Sequence, residues 1–366
     1  MDIKCISSDL SDVLSIVQGV SERRATMPIL SHIHLSTEES GLKIVATDLE
    51  TTIEAWCKSE IRSHGSIALP SKKLFEIIRE MPKGDISLKL IENNWIQITN
   101  EKASFKIAGL PATDYPAVPE QDLSGLSEID ARLLDDMISK TIFAIAADDL
   151  RRNLAGIYVE PCENNTLRII GTDGHRLSYV QNKLESNHLV ERGIIVPRKG
   201  VIELKKLLRS ADKVGIKVFS SFLVAVFDHC KLYIRLIEQD YPDYKQVIPK
   251  ESRISLILDR EDFLTALRRV AVFSSEKTKS IKMILDESKL DLIAITPEVG
   301  EATEQISVDY SGDKLELGFN STYIMDVMDA INEKNVVIKV TDELSPALIM
   351  PQDNEDYISV IMPMRV

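Results

Sequence analysis

The sequence predicts an α+β protein made of three similar domains in series. A turn signature recurs at domain-length spacing, and each copy carries two amphipathic helix patterns and several short alternating strands. The signature is Ala46-Thr47-Asp48-Leu49-Glu50, then Gly171-Thr172-Asp173-Gly174-His175 and, more distantly, Ile295-Thr296-Pro297-Glu298. Its threonines stand 125 and then 124 residues apart, close to the size of one domain.

Each copy opens on a helix pattern. Leu10, Val13, Leu14 and Val17 form one apolar stripe at helical spacing; Leu133, Leu134, Met137, Ile138 and Ile142 do so in the second copy, and Phe263, Leu264, Leu267, Val270 and Ala271 in the third. These helices are expected to end in Arg23-Arg24 and Arg151-Arg152 in the first two copies. Strand patterns follow at 42–46, 166–170 and 289–293, where β-branched residues alternate with polar ones. A second helix starts after Pro70, Pro197 or Asn320, since proline suits a first helical turn where its missing N–H is no loss. Further strands close the copies, for example 95–99 and 222–227. The first two copies also share Asp114-Tyr115-Pro116 and Asp240-Tyr241-Pro242. Proline and polar residues break the periodicity near 119–127 and 249–252, which divides the chain into 1–120, 121–250 and 251–366.

A length of 366 residues fits two or three domains at about 150 residues each. No apolar run approaches the roughly 20 residues that span a membrane, and Met1-Asp2-Ile3-Lys4-Cys5 lacks a signal-peptide pattern, so a cytoplasmic location is expected. Cys5, Cys57, Cys162 and Cys230 lie far apart and read as reduced thiols. Neither a Gly-x-x-x-x-Gly-Lys nor a Gly-x-Gly-x-x-Gly loop occurs, so no cofactor is expected. Asp173 with His175, and His32 with His34, lack a third partner by spacing; no catalytic or metal residue is assigned.

The net charge is -13, which opposes phosphate binding taken as a sum, yet the basic residues are clustered. The second helix of the middle copy carries Arg198, Lys199, Lys205, Lys206 and Arg209 against Glu203, with Val201, Leu204 and Leu208 on a separate stripe. Its counterpart in the first copy has Lys72, Lys73, Arg79 and Lys83 against Glu76 and Glu80. In the third copy Asp326, Asp329 and Glu333 make the helix acidic. Recurrence of cations at two equivalent helices favours a polyanion-facing surface over ordinary solvated faces.

Four segments in order resemble the bacterial β sliding clamp family, the processivity subunits of DNA polymerase III: Thr172-Asp173-Gly174-His175-Arg176-Leu177, the run from Ile195 to Leu204, Tyr241-Pro242-Asp243-Tyr244, and Val360-Ile361-Met362-Pro363-Met364-Arg365. The resemblance implies a clamp fold in which helices line the interior of a closed ring and antiparallel sheets form its outer wall. Two copies would join head to tail around duplex DNA, without sequence readout. DNA contacts would fall on Arg24, Lys72, Arg152, Asn153, Arg198 and Lys199; Arg152-Asn153 stands where the family often has tyrosines. Polymerase, clamp loader and repair proteins would insert a linear motif among Leu154, Thr172, Gly174, His175, Arg176, Leu177, Pro242, Val247, Val360, Met362, Pro363, Met364 and Arg365. In that pocket Thr172, His175 and Arg176 are expected to hydrogen-bond the incoming peptide. At the ring seam Phe105 and Ile107 would meet Val272 and Phe273, while Lys73 and Lys102 would pair with Glu298, Glu301 and Glu304. Two readings compete: a peptide-binding scaffold that does not encircle DNA, and an enzyme.

Overall fold

The structure, a computed structural model, describes residues 1–21, 27–118, 121–147, 149–184, 189–297 and 299–365. The first stretch of chain gives β1 (Asp2–Ile6), α1 (Ser7–Val17), β2 (His32–Glu38), β3 (Gly41–Thr47), β4 (Thr51–Cys57), β5 (Glu60–Ser63), β6 (Ser66–Pro70) and α2 (Ser71–Glu80). Next come β7 (Asp85–Leu90), β8 (Trp95–Thr99), β9 (Ser104–Ala108), β10 (Ser127–Asp130) and α3 (Ala131–Ser139). The middle continues with β11 (Gly156–Cys162), β12 (Thr166–Thr172), β13 (Arg176–Lys183), β14 (Ile194–Pro197), α4 (Arg198–Leu208), β15 (Lys213–Val218), β16 (Phe222–Val226) and β17 (Cys230–Arg235). Then follow β18 (Ile254–Asp259), α5 (Arg260–Ala271), β19 (Ser280–Asp286), β20 (Lys289–Thr296) and β21 (Gly300–Ser307). The chain closes with β22 (Leu315–Asn320), α6 (Ser321–Ala330), β23 (Asn335–Val340), β24 (Ala347–Pro351) and β25 (Tyr357–Ile361).

Two compact units result. Unit 1 holds Met1–Arg132 with Lys199–Leu236; unit 2 holds Leu133–Arg198 with Ile237–Val366. Unit 1 contains a five-stranded sheet, β5-β1-β7-β8-β9, and an eight-stranded one, β6-β2-β3-β4-β17-β16-β15-β10. Unit 2 contains a four-stranded sheet, β22-β19-β20-β21, and an eight-stranded one, β14-β11-β12-β13-β25-β24-β23-β18. The two large sheets are the same design. In each, four strands of one sequence copy meet four of the next through a single antiparallel ladder, β4 against β17 or β13 against β25. Leu10, Val13, Leu14 and Val17 are buried on α1, which packs beside α2. On α5 the stripe residues Phe263, Leu264, Leu267 and Val270 are buried likewise, beside α6.

Three expectations need correction. First, α3 stops at Ser139, so Arg151-Arg152 does not end it but sits in a separate 3-10 segment, Asp149–Leu154. Thr141 is the cause: its Oγ1 donates back to the carbonyls of Met137 and Ile138, which satisfies the last turn and releases the chain. Second, α2 and α4 start right after Pro70 and Pro197 as expected, but each proline ends the preceding strand instead of lying in the first helical turn. Third, the lone acid of the middle basic helix is not a surface residue. Glu203 is 5% exposed, paired with Lys206 at 2.6 Å, while Ile202 faces outward. In the first copy, α1 ends at Val17, and Arg23-Arg24 lies outside the described residues.

The repeated Asp-Tyr-Pro segments lock a linker onto each large sheet. In unit 1 the Tyr115 hydroxyl lies 3.1 Å from the His32 carbonyl and 3.2 Å from that of Val45, and accepts the Thr47 N–H at 3.2 Å. Its ring stacks on His34 at 5.4 Å. Tyr115→Phe is therefore expected to lower unit 1 stability by about 1–3 kcal/mol, read as an earlier urea transition. Burial and then the Lys43 ammonium hold His34 below its usual imidazole pKa. The unfolded chain thus takes up that proton at a higher pH than the folded chain does. The stability that His34 contributes is present at neutral pH and lost as pH falls from about 6.5 toward its lower folded value. His34→Gln is expected to flatten that loss in urea transitions compared between about pH 7 and pH 5.

Candidate functional site

In unit 2 the turn between β12 and β13 is wound by its own polar side chains. Asp173 Oδ1 accepts the N–H groups of His175 (2.9 Å) and Arg176 (3.0 Å). Thr172 Oγ1 donates to the Arg176 carbonyl at 2.6 Å and accepts the Gly174 N–H at 3.2 Å. Gly174 has φ 85, a conformation that glycine takes without strain, and a Cβ there would stand 2.6 Å from Arg151 Nη1. Arg151 closes over the turn by donating to the Asp173 carbonyl at 2.6 Å. The first copy winds the same turn: Asp48 Oδ1 accepts the N–H groups of Glu50 and Thr51, and Leu49 takes φ 75 without a glycine. The third copy lacks the aspartate, and Val299 N–H reaches Thr296 O instead.

Arg176 is the hub. Its Nε donates to Asp173 (3.1 Å), Nη1 to Asp326 (2.5 Å) and Nη2 to the Phe143 carbonyl (2.5 Å). The guanidinium also lies over Tyr323 at 4.3 Å and Phe143 at 5.4 Å. The polar atoms of Arg176 and Thr172 are thus engaged in holding the turn. His175 is exposed, and its carbonyl accepts the Met362 N–H at 2.9 Å. Met364 N–H reaches the Gly318 carbonyl at 2.8 Å, so the tail after β25 is strung between the turn and β22. Met362, Pro363 and Met364 are half-buried and Arg365 is exposed.

Beneath lies an apolar cluster of Ile170, Leu177, Tyr244, Val337, Leu348, Met350 and Val360, flanked by Val247, Ile248, Tyr158 and Tyr241. Leu177 and Val360 face each other across the β13–β25 ladder. The cluster thus brings together three of the expected pocket residues, Leu177, Val247 and Val360. Leu154 is buried elsewhere in unit 2 and Pro242 is exposed; neither belongs to the cluster. Tyr241 stacks on Tyr158 at 4.5 Å, its hydroxyl is buried without a hydrogen-bond partner, and burial pushes its pKa up. Arrangements of this kind, an apolar floor that includes Met350 beside a hydrogen-bonded turn, suit side chains of a linear peptide.

The expected phosphate contacts are mixed. Lys72 is well exposed in the first turn of α2, with Glu76 3.8 Å away. Lys199 is ion-paired with Asp48 inside unit 1. In unit 2 Arg152 and Arg198 are exposed, while Asn153 Nδ2 donates to the Asp240 carbonyl at 3.3 Å. Arg24 lies outside the described residues. Among those described, no three His, Cys, Asp or Glu side chains converge as a metal set, and no helix is long and apolar enough to cross a membrane.

Family models for the N-terminal, central and C-terminal domains of the DNA polymerase III β subunit match residues 1–119, 128–243 and 245–365. The chain belongs to the DNA polymerase III β-subunit family. It is 35% identical over 363 residues to the β sliding clamp of Caulobacter vibrioides, spanning 98% of each chain. It is 33% identical over 362 residues to that of Vibrio cholerae, again 98% of each. The crystal structure of the Pseudomonas aeruginosa DNA polymerase III subunit β superposes with a TM-score of 0.94 at 33% identity, covering 100% of both chains. Caulobacter crescentus pol III β gives 0.94 at 34%, with the same coverage.

For a β-subunit family member the seam residues matter next. Phe105 is 37% exposed on β9 and Val272 77% exposed beyond α5, with Phe273 half-buried. Ile107 is 7% exposed, so it supports Phe105 from the core rather than presenting a free face. Within the chain Lys73 is bonded to Glu76 at 2.7 Å and Glu304 to Arg269. Arg269 also holds the Glu304 carboxyl below the usual range. Lys102 and Glu301 are exposed; Glu298 lies outside the described residues.

Sequence reasoning missed Asp326, Phe143 and Tyr323 as supports of the site. The acids of α6, which broke the basic pattern, were the available signal: Asp326 neutralises Arg176 and Asp329 pairs with Arg268 at 2.8 Å. Arg176→Ala leaves Asp173 and Asp326 without their shared cation and is expected to cost unit 2 on the order of 3 kcal/mol. Asp326→Asn keeps the shape of the site and should cost less, a ranking that urea transitions of the two variants check.

Proposed function

We propose that two copies of this chain close head to tail into a ring that encircles duplex DNA and tethers its partners through the unit 2 cleft. The observation that carries this reading is the repeated ladder. The strand after each turn, β4 or β13, pairs with the last strand of the following copy, β17 or β25. Their third equivalents are β21 and β9, and both are sheet edges within the chain. Exposed edges invite strand addition, and a heterologous contact that closes on itself gives a ring.

The register follows from the repeats. Ile234 faces Thr51, and Ile361 faces Arg176. Leu110 bridges Ala68 as Ile237 bridges Ile195, which makes Ile107 the counterpart of Ile234. The position equivalent to Thr51 and Arg176 is Gly300, by the same 125 and 124 residue spacings. Gly300 then opposes Ile107 of the second copy, and Glu301 opposes Lys106. Phe105 would join Val272 and Phe273 behind that ladder.

A ring need not bind tightly, because topology retains it. A modest set of cations such as Lys72, Arg152 and Arg198 is enough to hold phosphates without reading bases, and an acidic remainder opposes wrapping of DNA elsewhere. In this reading the protein is a non-catalytic, cytoplasmic processivity factor whose partners are the replicative polymerase, the clamp loader and repair proteins. Their motifs place leucine and phenylalanine on the floor of Leu177, Val247 and Val360, beside Met362 and Met364.

Two measurements test it. Loaded by a clamp loader onto nicked circular DNA, the protein is expected to survive high salt and to be released when the circle is cut. Loss from intact circles at moderate salt would instead support a scaffold that does not encircle DNA. Charge reversal Lys106→Glu is expected to shift sedimentation toward monomer, and the double variant with Glu301→Lys to restore dimer; no rescue would refute the register.

A further inference from the structure

A row of side chains crosses the large sheet of unit 1 at its β17–β4 ladder. Lys231, Glu54, Val45 and His34 stand each directly opposite the next. The same row in unit 2 reads Ile358, Tyr179, Ile170 and Tyr158. In both units a linker tyrosine stacks on the last member: Tyr115 on His34, and Tyr241 on Tyr158. One design, a cross-strand row capped by a linker tyrosine, is therefore built twice, on an apolar row in unit 2 and on a charged row in unit 1.

The unit 1 version is hollow. A cavity of about 480 Å³ separates the row from a linker wall that includes Pro116, Val118 and Leu123. That volume lies within the roughly 300–1,000 Å³ of ordinary ligand clefts. Its carboxylate is already satisfied: Glu54 is 4% exposed, accepts the Tyr233 hydroxyl at 3.0 Å and pairs with Lys43 at 2.7 Å. The second cation is not. Among the described residues Lys231 has no carboxylate within ion-pair distance, and its ammonium stands 5.2 Å from the Trp56 ring centre. The cavity lining holds Lys43, Lys231 and Glu54, one cation in excess beside an apolar wall; Glu38, 3.5 Å from Lys43, lies outside the lining.

We propose that this cleft docks a second linear peptide segment, chosen for an acidic side chain that pairs with Lys231 while a neighbouring apolar residue packs on the linker wall. The inference rests on the reading of the unit 2 cleft as a peptide site, and extends it to a cleft of opposite taste. Charge complementarity sets the choice: the apolar row of unit 2 selects leucine and phenylalanine, whereas a lysine at the place of Ile358 selects an acid.

The chain has two tryptophans, so the Trp95→Phe variant leaves Trp56 as sole reporter beside the cleft. The full-length variant is titrated with the acetylated amide Ala-Glu-Leu-Glu and with its Gln-for-Glu twin. A saturable change in Trp56 emission is expected with the acidic peptide, at least about fivefold tighter than with the twin. Lys231→Gln should abolish the preference while thermal melting stays unchanged. A saturating, labelled peptide ending in Leu-Phe should leave the signal intact. Equal affinity for the twin, no saturation by about 5 mM, an unaffected Lys231→Gln variant, or displacement by the Leu-Phe peptide would each overturn the assignment. Should the Leu-Phe peptide itself fail to bind while the acidic one binds, the unit 2 reading falls and the unit 1 cleft stands.

Discussion

The backbone ladder that joins one sequence copy to the next is the constraint on which the rest depends. Five opposed residue pairs tie β4 to β17, and five tie β13 to β25. Each ladder converts two four-strand halves into one continuous sheet, so neither half keeps an open edge at the joint. The backbone hydrogen bonds of a ladder tolerate many side chains, while its register is strict wherever one face is buried. The side chains on top of the joint are therefore free to diverge while their positions stay fixed. That freedom explains how one joint carries Leu177 against Val360 and the other Thr52 against Tyr233.

The turn that precedes each joint strand is the second constraint, and it engages several of the polar residues expected at the site. Thr172 and Asp173 spend their hydrogen-bonding capacity on the turn's own backbone. Arg176 then bridges this turn to Asp326 on α6 and to the carbonyl of Phe143. A guanidinium with two carboxylates, a carbonyl and two aromatic faces around it has little left to offer a ligand. It serves the cleft by fixing where His175 presents its carbonyl, and through it the path of Met362.

The charge pattern gains meaning from the same contacts. Net charge and helix tallies treat every ionised residue as solvent-facing, but several are internal. Glu203 is buried against Lys206, Asp48 against Lys199, and Glu54 between Lys43 and Tyr233. Part of the acidity of α6 is likewise answered within the chain, Asp326 by the part-buried Arg176 and the exposed Asp329 by Arg268. Lys72, Arg152 and Arg198 are among the basic residues that remain exposed.

The sequence alone determined the three-copy layout, the helix stripes, most strands and the turn signature. All of these are short-range: periodicity, proline and an Asp-Gly turn act within a few residues of themselves. Much of the cleft floor was also legible, because Leu177 and Val360 sit in recognisable motifs. The tertiary structure alone decided which polar groups are consumed. No local pattern tells that Arg176 finds Asp326, 150 residues away, or that Glu203 turns inward while Ile202 turns out. It also decided where helices stop, as at Thr141, and that the linker tyrosines stack on His34 and Tyr158. The physical reason is range: propensity is fixed by neighbours in sequence, whereas the pairing of charges and the register of a joint are fixed by neighbours in space.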